Sequence, residues 1–204
     1  SLTLPLKGEG TPPSRLHGLA PLLSGTGVGE RVNHSQLTTH HSPLLIGISW
    51  HTTNPRTSVL RSIPLAQWKP LLDLPGMRFV SLQYGAHRRE VEGLPVMHDD
   101  SFDPEKDLHS FAAQCKAMDL VVTIQNSTAH IAGALGVPTL LLLSSASDWR
   151  WGMRSEINHW YKSVRIIRQK QPLRWDEAMG EAATFISFPF GEACSARNIA
   201  GEGD

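Results

Sequence analysis

The run Asp119-Leu-Val-Val-Thr-Ile-Gln-Asn-Ser-Thr-Ala-His-Ile-Ala-Gly-Ala-Leu-Gly-Val-Pro138, continued by Thr139-Leu-Leu-Leu-Leu143, decides the fold of this chain. Asp119 to Ile124 is short and, after its first residue, apolar but for the β-branched Thr123, the pattern of a strand buried on both faces. Asn126, Ser127 and Thr128 can each cap a helix N-terminus, which predicts a helix over Asn126 to Leu135. Gly136 stops that helix and Pro138 prevents its continuation, so Pro138 to Leu143 reads as the next strand. A strand, a helix and a strand joined this tightly pair in parallel through a right-handed crossover.

The same alternation extends in both directions. Leu44 to Trp50 is an apolar run after Pro43 and reads as a strand. Pro64 to Leu74 carries Leu65, Trp68, Leu71 and Leu72 at helical spacing, with Pro64 suited to the first turn and Pro75-Gly76 closing it. Met77 to Gln83 is the next strand. From Tyr84 to Asp100 no period is clear, apart from Pro95-Val96-Met97 as a short edge strand. Leu108, Phe111, Ala112, Cys115 and Met118 form one stripe of a helix over Asp107 to Met118. Ser163 to Arg168 is the last strand and Leu173 to Ile186 the closing helix. The fold class is therefore α/β, a Rossmann-like parallel sheet with helices on both faces, occupying residues 43–189.

Residues 1–42 are rich in Gly, Pro, Ser and Thr, with Leu at no regular period, and are expected to be disordered; so is the small, polar tail 190–204. Phrases such as Leu4 to Gly10 and Gly25 to Glu30 resemble translations of intergenic bacterial repeats.

Composition removes several function classes. Nineteen Lys and Arg balance nineteen Asp and Glu, so no long-range field draws a polyanion, and nucleic acid is not an expected partner. Two cysteines far apart, Cys115 and Cys194, suggest neither a disulfide framework nor a thiol-metal site and fit a reducing compartment. No apolar run approaches the ~20 residues that span a bilayer, and no basic and apolar leader opens the sequence. A cytoplasmic protein is expected, at most peripheral at the inner membrane. His34, His40 and His41 lack carboxylate or cysteine partners, so no metal is expected. Phosphate-loop, dinucleotide and nucleophile-elbow patterns are absent, and no cofactor is implied.

In an open parallel sheet, ligands collect beyond the carboxyl ends of the strands, where helix N-termini direct free amides into a crevice. Three segments lie there: His51 to Ser62, Tyr84 onward, and Gln125 to Thr128. The third is the strongest anion site, with hydroxyls on Ser127 and Thr128 and with His130 in the first turn. The plain alternative is that Asn126 or Ser127 only caps the helix and His130 only packs.

With Ile48-Ser-Trp50, Arg61-Ser-Ile-Pro-Leu65, Phe79-Val-Ser-Leu-Gln83 and Asp148-Trp-Arg-Trp151, the deciding stretch resembles the C-terminal domain of bacterial tetratricopeptide-repeat-associated GT-B glycosyltransferases. Those are relatives of the ADP-heptose:LPS heptosyltransferases, and the resemblance covers roughly Leu44 to Ile186. It implies a domain that holds a nucleotide-diphosphate sugar for transfer to a cell-surface glycan or protein acceptor. By the same resemblance, Asn126, Ser127 and Thr128 meet the diphosphate with His130 beside them. Arg61 and Arg56 bring positive charge, and Gln83 and Tyr84 approach the base or ribose. Gln125 stands where the family usually has Asp, which puts donor choice and activity in question. The acceptor base belongs to the N-terminal GT-B domain, absent from these residues, so no catalytic residue is assigned. Trp149 and Trp151 are read as a packed lid. Two other readings stand beside this one: a degenerate or truncated, non-catalytic fragment of such an enzyme, and a UDP-sugar epimerase-like enzyme. Gln125 and the lack of a Glu in the Asn126 helix argue against the epimerase.

Overall fold

The computed structural model of the chain describes residues 43–152 and 158–187. The expectations for 1–42 and 190–204, the last two residues of the expected domain, His34, His40, His41 and Cys194 lie outside the described residues.

The chain enters β1 (Leu44–Ser49), turns through the short α1 (Ser58–Arg61) and a 3₁₀ turn at Leu65–Trp68 into α2 (Lys69–Leu72), and returns in β2 (Met77–Ser81). A 3₁₀ turn at Gly85–Arg89 leads to the two-residue β3 (Val96–Met97), then α3 (Leu108–Lys116) and β4 (Leu120–Ile124). After α4 (Ser127–Ala134) and β5 (Thr139–Leu143) come a 3₁₀ turn at Trp149–Trp151, β6 (Val164–Arg168) and α5 (Asp176–Ser187). The six strands form one sheet in the order β3-β2-β1-β4-β5-β6, with every pair parallel. This is the Rossmann-like α/β arrangement. The direction of winding reverses between β1 and β4, which opens a crevice at their carboxyl ends.

Strand alternation distributes the core over the two faces. Ile46, Ile48, Val122, Ile124, Leu140 and Leu142 point to the face covered by Trp68, by Leu71 of α2 and by Met179, Ala182 and Ile186 of α5. On the other face Val80 and Val121 meet Phe111 and Cys115 of α3 and Ala132 of α4, while Leu141 and Leu143 meet Ala129 of α4 and Trp151. Gly47 belongs to that second face: a Cβ there would lie 2.4 Å from Leu82 Cδ1 and 2.9 Å from Met118 Cγ.

Two elements differ from the sequence reading, each for a local reason. The helix expected over Pro64 to Leu74 is divided into a 3₁₀ turn and α2. Pro70 has no N–H to give the Ala66 carbonyl, so the α-helical ladder cannot run through that turn. The closing helix begins at Asp176 rather than Leu173, because Leu173 takes a left-handed conformation (φ 63°) in a turn closed by the Gln171–Arg174 bridge. α1 and the 3₁₀ turns at Gly85–Arg89 and Trp149–Trp151 have too few residues to show a hydrophobic period.

Candidate functional site at the carboxyl ends of β1 and β4

Asn126 sits on the crevice and is committed to the protein. Its Nδ2 donates to Ser49 Oγ at 2.8 Å and to the His51 carbonyl at 3.4 Å, while its Oδ1 accepts from Thr123 Oγ1 at 3.1 Å and from Ala129 N at 3.4 Å. It is thus the N-cap of α4 and a strut to β1, and its side chain is spoken for.

Gln83, 2% exposed, is equally occupied. Its Oε1 accepts from Ser49 Oγ, Trp50 N and His51 N, and its Nε2 donates to the carbonyls of His51 and Tyr84. A side chain with both donors and its acceptor engaged clamps the ends of β1 and β2 together and has nothing left for a base or ribose. Thr128 is 0% exposed, and its Oγ1 points inward to the Leu82 carbonyl at 3.5 Å. The hydroxyl role expected of it is therefore not available, and the residue as a whole is buried.

What faces outward is a smaller group. Ser127 is exposed, and its amide lies 3.4 Å from Tyr84 Oη, which places the Tyr84 ring over the start of α4. Arg61, in the last turn of α1, reaches the residue that precedes the Asn126 cap. With the Gln125 amide oriented by its neighbours, Oε1 accepts from Arg61 Nη1 and Nη2 at 3.3 Å each and from Asp148 N at 2.9 Å. Arg56 is exposed on the turn before α1, its amide held by Asn54 Oδ1 at 3.0 Å, and it makes no contact with this group among the described residues.

Asp148 carries the arrangement onward. Its Oδ1 accepts from Arg150 N at 3.1 Å and Arg150 Nη1 at 2.8 Å. Burial of the carboxyl favours its neutral form, but the Arg150 amide and guanidinium and the charge of Arg61 outweigh that and hold it below the usual carboxylate range. His130 stacks on Trp151 with ring centroids 4.8 Å apart and has Nδ1 3.1 Å from Tyr161 Oη. Its pKa is lowered by burial and by the charge of Arg150, against a smaller opposing effect of Asp148, so near neutral pH it is an uncharged imidazole.

Asp148, Arg150 and Tyr161 were not singled out as site residues by sequence. Asp148 and Arg150 stood in the Asp-Trp-Arg-Trp motif, whereas Tyr161 is brought in by tertiary packing alone. The same motif corrects the reading of a two-tryptophan lid: Trp151 is buried, but Trp149 is exposed.

A second cluster lies at the ends of β1 and β2. His51 and His87 stack with centroids 3.4 Å apart, and Glu90 accepts from His87 Nδ1 at 2.6 Å and from Trp50 Nε1 at 2.8 Å. Burial and the His87 charge lower the His51 pKa, with Glu90 opposing. Beside it is an open cavity of about 540 Å³ lined by Trp50, Ser62, Ile63, Glu90 and Trp175 among others. Among the described residues no three His, Cys, Asp or Glu side chains are grouped to hold a metal ion, and no helix is long and apolar enough to cross a membrane.

No family model matches the chain. It is similar to Protein FlbA of Caulobacter vibrioides (strain ATCC 19089 / CIP 103742 / CB 15), 35% identical over 148 residues; the match covers 69% of this chain and 24% of FlbA. The chain thus matches about a quarter of that relative's length.

Proposed function

We propose that this domain binds a nucleotide-diphosphate sugar at the carboxyl ends of β1 and β4, as the donor-binding half of a GT-B-type glycosyltransferase. One observation carries the reading: Arg61 is held against Gln125, the residue before the Asn126 cap, beside the exposed Ser127 in the first turn of α4. A guanidinium fork and a helix N-terminus acting together favour a diphosphate, because both supply oriented donors and positive potential. Neutral Gln125 fixes the guanidinium without cancelling its charge. His130, uncharged, can take part in the hydrogen bonding of the leaving diphosphate but does not add a cation.

Sugar transfer also needs a base for the acceptor hydroxyl. No residue of this site is placed in that role, and the partner domain of the GT-B fold would supply it, together with contacts to a cell-surface glycan or protein acceptor. A second reading, donor binding without catalysis, is favoured by Gln125 in the place of an acid and by the structural commitments of Gln83, Asn126 and Thr128.

Isothermal titration of the chain with UDP, GDP and ADP tests the binding. At least one is expected to bind, and Arg61→Ala should weaken it about tenfold, or ~1.4 kcal/mol. If none of the three binds at millimolar concentration, both readings fail. A transfer assay with the partner domain supplied then separates catalysis from binding alone.

A further inference from the structure

Trp149 and Trp160 are 71% and 65% exposed, with ring centroids 6.3 Å apart and planes at 68°. Two indoles at this angle form a corner open to solvent. The corner is braced from beneath by Asn158, itself only 3% exposed. Asn158 Nδ2 donates to the Arg150 carbonyl at 3.0 Å, and its Oδ1 accepts from Trp160 N at 2.8 Å and Tyr161 N at 3.0 Å. One buried amide therefore ties the two tryptophan-bearing segments together. Arg150 lies against the first ring, its guanidinium carbon 4.9 Å from the Trp149 centroid, and is held there by Asp148.

Large aromatics normally end in the core or against a neighbour. Here the local structure holds both of them outward in a fixed relation, with a cation and a carboxylate alongside. The two rings offer at most about 500 Å², short of the ~800 Å² per partner of a stable protein interface. Their shape suits a smaller object with one apolar face and a polar rim. A pyranose has that form: the C–H bonds of one face carry slight positive charge and meet the negative face of an indole, while the ring hydroxyls reach outward to Arg150 and Asp148.

We propose that Trp149 and Trp160, with Arg150, form a carbohydrate subsite that takes a pyranose ring. The inference deepens the donor-site reading and rests on it only for its place: Asp148, which holds Arg150, donates its amide to Gln125. The ring can be the sugar of the donor or a sugar of the acceptor, and the two sources are separable.

The test uses the whole chain and methyl pyranosides of the gluco, galacto, manno and N-acetylglucosamino series, followed by saturation-transfer difference NMR and tryptophan fluorescence. At least one should bind, with saturation concentrated on the protons of one ring face. Trp149→Ala and Trp160→Ala should each weaken it about fivefold while leaving nucleotide-diphosphate affinity unchanged. Trp149→Phe and Trp160→Phe, which keep a ring, should lose less and serve if an alanine variant folds poorly. Binding of a UDP-, GDP- or ADP-sugar that exceeds the parent diphosphate only when Trp149 is present identifies the donor sugar. Glycoside binding that persists with the diphosphate bound identifies the acceptor. Absence of pyranoside and nucleotide-sugar effects, or binding indifferent to both tryptophans, overturns the subsite even if diphosphates bind. Pyranoside binding without diphosphate binding keeps the subsite and removes the donor site.

Discussion

Asn126 Nδ2 lies 2.8 Å from Ser49 Oγ, tying the cap of α4 to the last residue of β1 across the point where the winding of the sheet reverses. The bond spans 77 residues of chain, and both partners are buried. The residue that caps α4 is thereby also the residue that fixes its distance from the β1 loop.

Asn126→Ala should therefore destabilise the domain by about 2–4 kcal/mol, combining a lost N-cap with buried partners left unpaired. Urea unfolding followed by circular dichroism measures it. A loss under ~1 kcal/mol would mean that water replaces the side chain and that the strut is dispensable.

Gly133 couples packing to the site. A Cβ on it would come within 2.6 Å of Tyr161 Cγ and 2.9 Å of Cδ2, and Tyr161 Oη is the partner of His130 Nδ1. Gly133→Ala should cost about 1–3 kcal/mol through overpacking. It should also move Tyr161 off His130, which the His130 ring resonances in an NMR spectrum would report. An unshifted His130 signal in a destabilised variant would show that the strain is relieved elsewhere.

The His130 pKa is lowered from 6.5 in the folded chain, first by burial and then by Arg150. Between the folded value and 6.5 the unfolded chain binds more protons, so the stability of the fold rises with pH across that window. The contribution is complete above pH 6.5 and is lost as pH falls through the folded pKa. His130→Gln should flatten the fall in the denaturation midpoint between pH 7 and 5, in part only, because His51 is shifted the same way by burial and by His87. An unchanged slope in the variant would place the pH dependence in other groups.

The sheet was legible because its central strands are short, largely apolar runs, β1 and β5 following Pro43 and Pro138 and β2 following Gly76, and even the two-residue edge strand at Val96–Met97 followed from Pro95. Helix interruption at Pro70 could have been read from the missing N–H. Leu173 could not, since its left-handed turn is imposed by the return to α5. At the site, sequence identified which segments meet, but not which side chains are free there. Gln83, Asn126 and Thr128 are all residue types that bind phosphates and sugars, and each is taken by a distant partner: Gln83 by His51, 32 residues away, Asn126 by Ser49 and His51, 77 and 75 away, and Thr128 by Leu82, 46 away. Such long-range pairings leave no local pattern. The outward tryptophan is the opposite case: in Asp-Trp-Arg-Trp, the 3₁₀ turn at Trp149–Trp151 turns one indole inward and the other outward.

Gln125 is where charge at the site can be changed with least disturbance. Its Oε1 accepts from both Arg61 nitrogens and from Asp148 N, and Gln125→Glu would keep that oxygen and the side-chain length. The carboxylate would turn the Arg61 contact into an ion pair at a position only 6% exposed, where desolvation offsets the attraction, so stability should change little, by about 1 kcal/mol or less. The guanidinium would then face the crevice with its charge largely cancelled, and the added negative charge would repel a diphosphate. Nucleotide-diphosphate affinity should fall about tenfold at low ionic strength, and the gap should narrow in high salt as the repulsion is screened. Equal affinity in the two forms, with stability retained, would show that phosphates do not meet Arg61, and the anion site would have to be sought at Arg56 or Arg150 instead.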